Sequence, residues 1–334
     1  MNTSTLASPV TAPDPGHQGR LAGLLKHQTT PIFIAFVLVC AALVLMTGSF
    51  ATPRNFSNIM VQASIVGIAA VGATFIIITG VIDLSVGAVV GLAGMVGAQL
   101  VHAGMDPILG LLVTIAFAML CGAFNGASVA FLKITPFIVT LALLGMAQGL
   151  TLQLSQGESV YDLPKALTWL GGGTIAGLPV PVPLTFVVFA IGAFVLNRTT
   201  FGHKVFAVGG NKEAARLAGI NYRRVIFWVY AIAGACAGLS AVVLVGRLGS
   251  ATPTAGLGLE LQVIAAVVIG GTSLFGGKGS LFGTLIGVLF IAVVNNGLTL
   301  LNVNPYWIQI VQGAIIFVAV LMDSINSGRL RQDA

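Results

Sequence analysis

The sequence predicts an all-α, polytopic membrane protein with about ten transmembrane helices, both termini in the cytoplasm and a possible inverted repeat. Hydrophobic residues make up 57% of the 334 residues and charged residues only 7%, whereas a soluble domain carries about 25% charged residues. The mean hydropathy is +1.02, and the 43 glycines suit helices that pack closely inside a bilayer. The solvent for most of this chain is therefore lipid.

Ten apolar runs along the chain are candidates for membrane spans. A transmembrane helix needs about 20 apolar residues to cross a hydrocarbon layer about 30 Å thick. The two runs that flank Asp83 and the two that flank Gly276 are ambiguous, because each pair can be read as one broken element. The predicted spans are residues 31–50, 59–80, 84–101, 108–132, 136–154, 181–197, 225–245, 260–276, 280–301 and 306–323.

Lysine and arginine set the predicted orientation. With the N-terminus inside, twelve of the 15 basic residues fall in cytoplasmic segments, as the positive-inside rule expects. This placement accounts for the formal charge of +6 without a nucleic-acid partner. The predicted organisation is a disordered cytoplasmic tail (1–30), a transmembrane domain (31–323) with a basic cytoplasmic loop (198–224), and a cytoplasmic C-terminal tail (324–334).

Neither a catalytic constellation nor a metal site is visible in the sequence. The 4 histidines and 3 cysteines have no second ligand at metal-binding spacing. The segment GTSLFGGKG (271–279) differs from a P-loop, because Thr272 replaces its first glycine and Gly279 its serine or threonine. We therefore expect a glycine-rich hairpin with Lys278 facing the cytoplasm, and neither a bound cofactor nor nucleotide hydrolysis by this chain.

The segment GVIDLSVG (80–87) contains Asp83, the single charge between residues 58 and 103. Asp83 and Ser85 ahead of a new apolar run predict a helix start at a tight turn, where an acceptor meets free backbone N–H groups. The alternative is a helix break inside the membrane, where irregular backbone is tolerated if it lines a water-filled cavity. In that case both side chains border a pathway.

The basic loop contains GGNKEAARLAGI (209–220), which predicts a short helix. Asn211 is its N-cap, Glu213 lies in its first turn, and Gly219 ends it. The spacing fits either a solvated surface helix or a docking helix that inserts a small-residue face into a cytoplasmic partner. That face consists of Ala214, Leu217 and Ala218.

A weak internal similarity is present. Asn125-Gly126 is followed by Pro136, and Asn296-Gly297 is followed by Pro305. In the predicted topology the two helix pairs run in opposite directions, as in inverted-topology transporter repeats. Chance agreement between so few positions is the alternative.

Several longer blocks resemble one family. Glu213-Ala214-Ala215 followed by Gly219 matches the EAAxxxG coupling motif of ABC importer permeases. The ribose-type branch of that family is similar over most of residues 31–323. The blocks that carry this resemblance are GVIDLSVG (80–87), TFGHKVFAVGGNKEAARLAGI (200–220), PTAGLGLELQVIAAVVIGGTSLFGGKGSLFGTLIG (253–287) and NNGLTLLNV (295–303).

The resemblance implies a permease subunit of a monosaccharide ABC importer in the bacterial inner membrane. Such a subunit forms a homodimer, docks cytoplasmic ATPase subunits that hydrolyse ATP, and receives its sugar from a periplasmic or extracellular binding protein. The residues implied to couple to the ATPase are Gly209, Gly210, Asn211, Glu213, Ala214, Ala215, Arg216 and Gly219.

The polar residues of the predicted spans agree with a neutral substrate. Apart from Asp83, Glu260 and basic residues at span ends, the spans are nearly free of charge, which argues against ion coupling. Their amides either line a sugar pathway or tie helices together. The candidate pathway residues are Asp83, Ser85, Asn125, Gln148, Gln262, Asn295 and Asn296.

Three other functions are weighed against this one. A permease for branched-chain amino acids shares the broad plan, but a zwitterion calls for charged partners or half-helix ends in the membrane. A secondary sugar carrier needs an ion-coupling site. A structural scaffold leaves the EAA-like helix without a role.

Overall fold

The computed structural model describes residues 30–326, which are mainly helical, as the sequence predicts. Of the two predicted tails, residues 1–29 and 327–334 lie outside the described range. In chain order the elements are α1 (Thr30–Met46), α2 (Pro53–Ile78), α3 (Val86–His102), α4 (Pro107–Ala130), α5 (Pro136–Ser155), α6 (Lys165–Gly172), the antiparallel strands β1 (Thr174–Ile175) and β2 (Leu178–Pro179), α7 (Pro181–Arg198), α8 (Thr200–Gly210), α9 (Lys212–Leu217), α10 (Tyr222–Leu248), α11 (Leu259–Ile269), α12 (Leu281–Leu300) and α13 (Pro305–Asn326).

Ten of the thirteen described helices correspond, in order, to the ten predicted spans. Seven of them, α2, α4, α5, α7, α10, α12 and α13, are long and apolar enough to cross a membrane, and α1, α3 and α11 are shorter apolar helices. Helix α11 has 11 residues and is about 16 Å long, against a hydrocarbon layer of about 30 Å. The predicted span 260–276 is therefore wrong in extent, because the helix ends at Ile269 and a glycine-rich hairpin follows.

Prolines mark where many of the helices begin. A proline in the first helical position sacrifices no hydrogen bond, because the first N–H groups of a helix have no intrahelical partner. At α4 the preceding Asp106 also caps the helix, with Oδ1 accepting from the Ile108 N–H at 2.9 Å. Helices that begin in this way are α2 at Pro53, α4 at Pro107, α5 at Pro136, α7 at Pro181 and α13 at Pro305.

Helices α2 and α10 form the centre of the bundle, and most of their residues are buried. Helix α10 packs along α4 at backbone contact. A Cβ atom at Gly126 would lie 2.8 Å from the Phe227 carbonyl oxygen, and one at Gly122 would overlap the Tyr230 carbonyl oxygen. The small residues thus allow the close helix approach that the glycine content predicts.

The order and packing of the helices repeat along the chain. Helices α2 to α5 have 26, 17, 24 and 20 residues, and α10 to α13 have 27, 11, 20 and 22. Helix α4 packs on α10 as α12 packs on α2, and α3 packs on α5 as α11 packs on α13. This agreement favours an internal repeat over chance.

Contacts between loops group them on two sides of the bundle. On one side the Gly277 N–H donates to the Ile78 carbonyl at 2.8 Å. On the other side the Val160 N–H donates to the Ala251 carbonyl at 2.9 Å. These groups correspond to the segments predicted inside and outside, respectively. Which side faces the cytoplasm stays a prediction from the charge count.

Candidate coupling surface and substrate pathway

Helix α9 carries the EAA-like motif and lies between α8 and α10. Asn211 caps it as the sequence predicts, with its Oδ1 accepting from the Ala214 N–H at 2.9 Å. At the other end Gly219 has φ +80°, a left-handed conformation that glycine adopts without strain. The Ile220 N–H donates to the Ala215 carbonyl at 3.0 Å and closes the last turn. The sequence around α9 thus encodes both of its ends.

The surface of α9 is exposed and mixed in character. Ala215 is buried against the bundle, whereas Ala214 and Ala218 are exposed and Leu217 is 81% exposed. An exposed ion pair flanks this apolar face, with the Arg216 Nε 2.9 Å from the Glu213 carboxylate. The face predicted for docking is therefore uncovered by any other part of residues 30–326.

The protein surface beside α9 is polar and basic. A shallow depression is lined by Glu213, Arg216, Gly219, Ile220, Asn221, Tyr222 and Arg223. The Lys212 ammonium lies 4.4 Å from the centre of the Tyr222 ring, close enough for a cation–π contact. Gly209 and Gly210, the remaining predicted coupling residues, form the end of α8, a helix that the sequence analysis does not predict.

Asp83 lies in the non-helical segment 79–85 between α2 and α3. Its Oδ1 accepts from the Ser85 N–H at 2.7 Å and from the Ser85 hydroxyl at 2.6 Å. The N-cap residue of α3 is Ser85, whose side chain makes no capping bond. The helix start is where the sequence predicts it, but Asp83 holds the turn before the helix instead of capping it.

Asn125 and Tyr230 join this turn from α4 and α10. The Asn125 side-chain amide donates to the Ser85 hydroxyl at 2.9 Å, while its buried Oδ1 has no hydrogen-bond partner among the described residues. The Tyr230 hydroxyl donates to the Ile82 carbonyl at 3.3 Å. Tyr230 is not among the residues predicted from the sequence, although a tyrosine within an apolar helix usually needs such a partner.

Three of the remaining candidate amides, those of Gln262, Asn295 and Asn296, lie in a second cluster near the other side of the bundle. Asn295 donates to Gln262 at 3.3 Å and accepts from Gln312 at 3.0 Å. On the next position of α12, Asn296 donates to Asn55 at 2.8 Å and accepts from it at 3.0 Å. In this conformation these amides tie α2, α11, α12 and α13 together.

The predicted pathway residues therefore do not converge on one site within the chain. Asp83, Ser85 and Asn125 meet near the side that carries α9. The amide cluster lies near the opposite side, and the half-buried Gln148 of α5 belongs to neither group.

Comparison with known proteins agrees with this architecture. Residues 55–320 match the family model described as "Branched-chain amino acid transport system / permease component". The ribose import permease protein of Bacillus subtilis (strain 168) is 41% identical over 299 residues, which cover 89% of this chain and 92% of that protein.

Two further relatives carry names of other sugars. The D-allose transport system permease protein of Escherichia coli (strain K12) is 40% identical over 296 residues, 88% of this chain and 91% of that protein. The xylose transport system permease protein of the same strain is 34% identical over 371 residues, 91% of this chain and 94% of that protein. This multi-pass protein of the bacterial inner membrane therefore belongs to the binding-protein-dependent ABC permease family, in its ribose-type branch.

Proposed function

We propose that this chain is the membrane-spanning subunit of an ABC importer that moves a small neutral sugar, such as ribose, into the cell. It works as a homodimer together with separate ATPase subunits and an extracytoplasmic sugar-binding protein. The chain itself binds no cofactor, and the ATP is hydrolysed by the partner subunits.

The exposed apolar face of α9 is the observation that carries this proposal. Leu217 is 81% exposed on a six-residue helix whose two ends are fixed by Asn211 and Gly219. A short helix with an apolar face and flanking charges fits a groove on a partner protein. Since α9 carries the EAA-like motif, the partner is the ATPase subunit.

A neutral sugar fits the polar groups within the bundle. The cluster at the turn before α3 combines the Asp83 carboxylate with the Ser85 hydroxyl and the Asn125 amide. The amides of α11 to α13 are uncharged. Charged side chains, which a zwitterion or a coupling ion calls for, are few in the spans, where they are Asp83, Glu260 and residues at span ends. The relatives named for ribose, allose and xylose support the same substrate class.

The test is reconstitution of the whole importer in lipid vesicles. The chain is purified with the ATPase and the binding protein encoded beside it, and uptake of labelled ribose, allose, xylose and leucine is measured. We expect uptake of one of the sugars that requires both ATP and the binding protein. Uptake without the ATPase subunits would contradict the proposal, because it would identify a secondary carrier.

Import of branched-chain amino acids is the second candidate, favoured by the description of the matching family model. The leucine arm of the same experiment separates the two. Uptake of leucine without uptake of any sugar would assign the chain to amino-acid import.

A further inference from the structure

Three backbone segments meet at glycines next to the coupling helix. They are the C-terminal end of α2, the C-terminal end of α8, and the hairpin 270–280 between α11 and α12. We call this contact the glycine junction and define it by Gly80, Gly209, Gly276 and Gly277. The family resemblance implies a coupling role for Gly209, but it assigns no role to the contact among these three segments.

A single hydrogen bond lies at the centre of the glycine junction. Ile78 ends α2, so its carbonyl has no partner in the helix, and it accepts instead from the Gly277 N–H at 2.8 Å. Gly209 packs directly on this bond. A Cβ atom at Gly209 would overlap the Ile78 carbonyl oxygen and would lie 2.7 Å from the Gly277 nitrogen.

The hairpin residues make equally close contacts. Gly276 and Gly277 have φ values of +83° and +74°, which favour glycine. A Cβ atom at Gly276 would lie 2.8 Å from the Gly209 carbonyl oxygen and 2.9 Å from the Gly80 Cα. At these glycines the three segments thus meet backbone to backbone, while side chains such as Phe75 of α2 and Phe201 of α8 pack beside the junction.

Two segments of the glycine junction continue into α9 and into the turn that contains Asp83. Asn211, the N-cap of α9, lies two residues after Gly209, and the turn of Asp83 follows Gly80. The hairpin is also bound to α13, because Asp323 accepts from the Leu274 N–H at 3.0 Å and from the Ser273 hydroxyl at 3.2 Å.

We propose that Gly209 is a positioning residue that seats α9 on the Ile78–Gly277 hydrogen bond, so that α9, the turn 79–85 and the hairpin 270–280 move as one body. Close-packed interiors transmit displacement with little compression. A displacement of α9 by the ATPase is therefore passed at once to the turn 79–85 and to the hairpin 270–280. This inference rests on the proposed coupling role of α9.

The test compares two glycine-to-alanine variants in the reconstituted importer. Gly209→Ala forces a methyl group into the junction, whereas Gly313→Ala, in α13, adds the same group where no described atom beyond the adjacent backbone of that helix lies within 4 Å. We expect Gly209→Ala to retain the ATPase subunits and to hydrolyse ATP, but to transport at least ten-fold less sugar per ATP hydrolysed. We expect Gly313→Ala to stay within two-fold of the unmodified importer and to show a similar melting temperature.

Equal coupling ratios for the two variants would overturn the inference. Hydrogen exchange in the unmodified complex tests it without any variant. We expect the Gly277 N–H to exchange slowly both without nucleotide and with ATP, because its bond to Ile78 persists while the junction moves. Rapid exchange in either state would overturn the inference. If the unmodified importer shows no ATP-dependent uptake, the proposed function fails and the inference falls with it.

Discussion

The carboxylate of Asp83 accepts two hydrogen bonds from one residue, Ser85, and Asn125 reaches the same hydroxyl from a distant helix. One acidic side chain thus fixes the direction in which the chain leaves α2 and enters α3. Its two donors, a backbone N–H and a hydroxyl, also suit an uncharged amide oxygen. The role of Asp83 in the turn therefore does not require its charge.

Replacement of Asp83 separates the hydrogen bonds from the charge. We expect Asp83→Asn to keep uptake within about three-fold of the unmodified importer, because asparagine also accepts bonds in such turns. We expect Asp83→Ala to lose stability by about 1–3 kcal/mol, because the donors of Ser85 lose their acceptor. Uptake in vesicles and thermal unfolding of the purified protein measure the two effects. Loss of uptake in a stably folded Asp83→Asn protein would show that the charge itself acts in transport.

Helix α9 is held by its neighbours and leaves one apolar face exposed, which the proposed function assigns to a partner. Ala215 anchors it to the bundle, and Gly219 turns the chain into α10. The exposed Leu217 side chain is therefore placed by a rigid frame. We therefore expect a change at this side chain to affect docking without disturbing the fold of the membrane spans.

Leu217→Arg tests whether docking can be impaired at this side chain while the fold of the membrane spans is kept. We expect it to reduce co-purification of the ATPase subunits at least ten-fold, because a charged side chain on the apolar face cannot enter a hydrophobic groove. Leu178→Arg, at another exposed leucine in the β-hairpin on the opposite side, is the matched control and should leave co-purification unchanged. Equal capture of the ATPase by both variants would argue against α9 as the docking element.

The distribution of basic residues over the bundle predicts which of its faces lies in the cytoplasm. Lys204 of α8 belongs to the predicted inside group and Lys165 of α6 to the outside group. We expect Lys204→Cys to react with a membrane-impermeant maleimide only in inside-out vesicles, and Lys165→Cys only in intact cells. The background protein lacks the native cysteines. Reaction of both cysteines from the same side would contradict the predicted topology.

The sequence predicts the helical class, the ten apolar helices and both ends of α9 because these depend on local chemistry. Proline, asparagine and glycine act on the backbone around them, and hydropathy accumulates along each run. The predicted span runs past the end of α11 at Ile269 because two further apolar residues, Leu274 and Phe275, follow the glycines. The position of this helix end depends on the contact of the hairpin with Ile78 and Gly209, almost 200 and about 60 residues away in the sequence.

In the candidate site, too, local contacts can be predicted from the sequence and contacts between distant residues cannot. Asp83 and Ser85 are two residues apart, so their turn is visible in the sequence, whereas their contacts with Asn125 and Tyr230 join separate helices. The amides of Gln262, Asn295 and Asn296 are recognisable as polar groups in apolar helices. Whether such groups face a solute or one another depends on how each helix is rotated about its axis, and a single sequence does not specify that rotation.

The shortness of α11 has a consequence for how the protein is made. Eleven residues are too few for a segment to partition into the bilayer by itself, since about 20 are needed to cross it. During synthesis α11 must therefore enter the membrane as a pair with α12 or against the finished surface of α2 and α3. Insertion of this one segment is thereby coupled to helix packing, whereas α12 and α13 are long enough to insert by themselves.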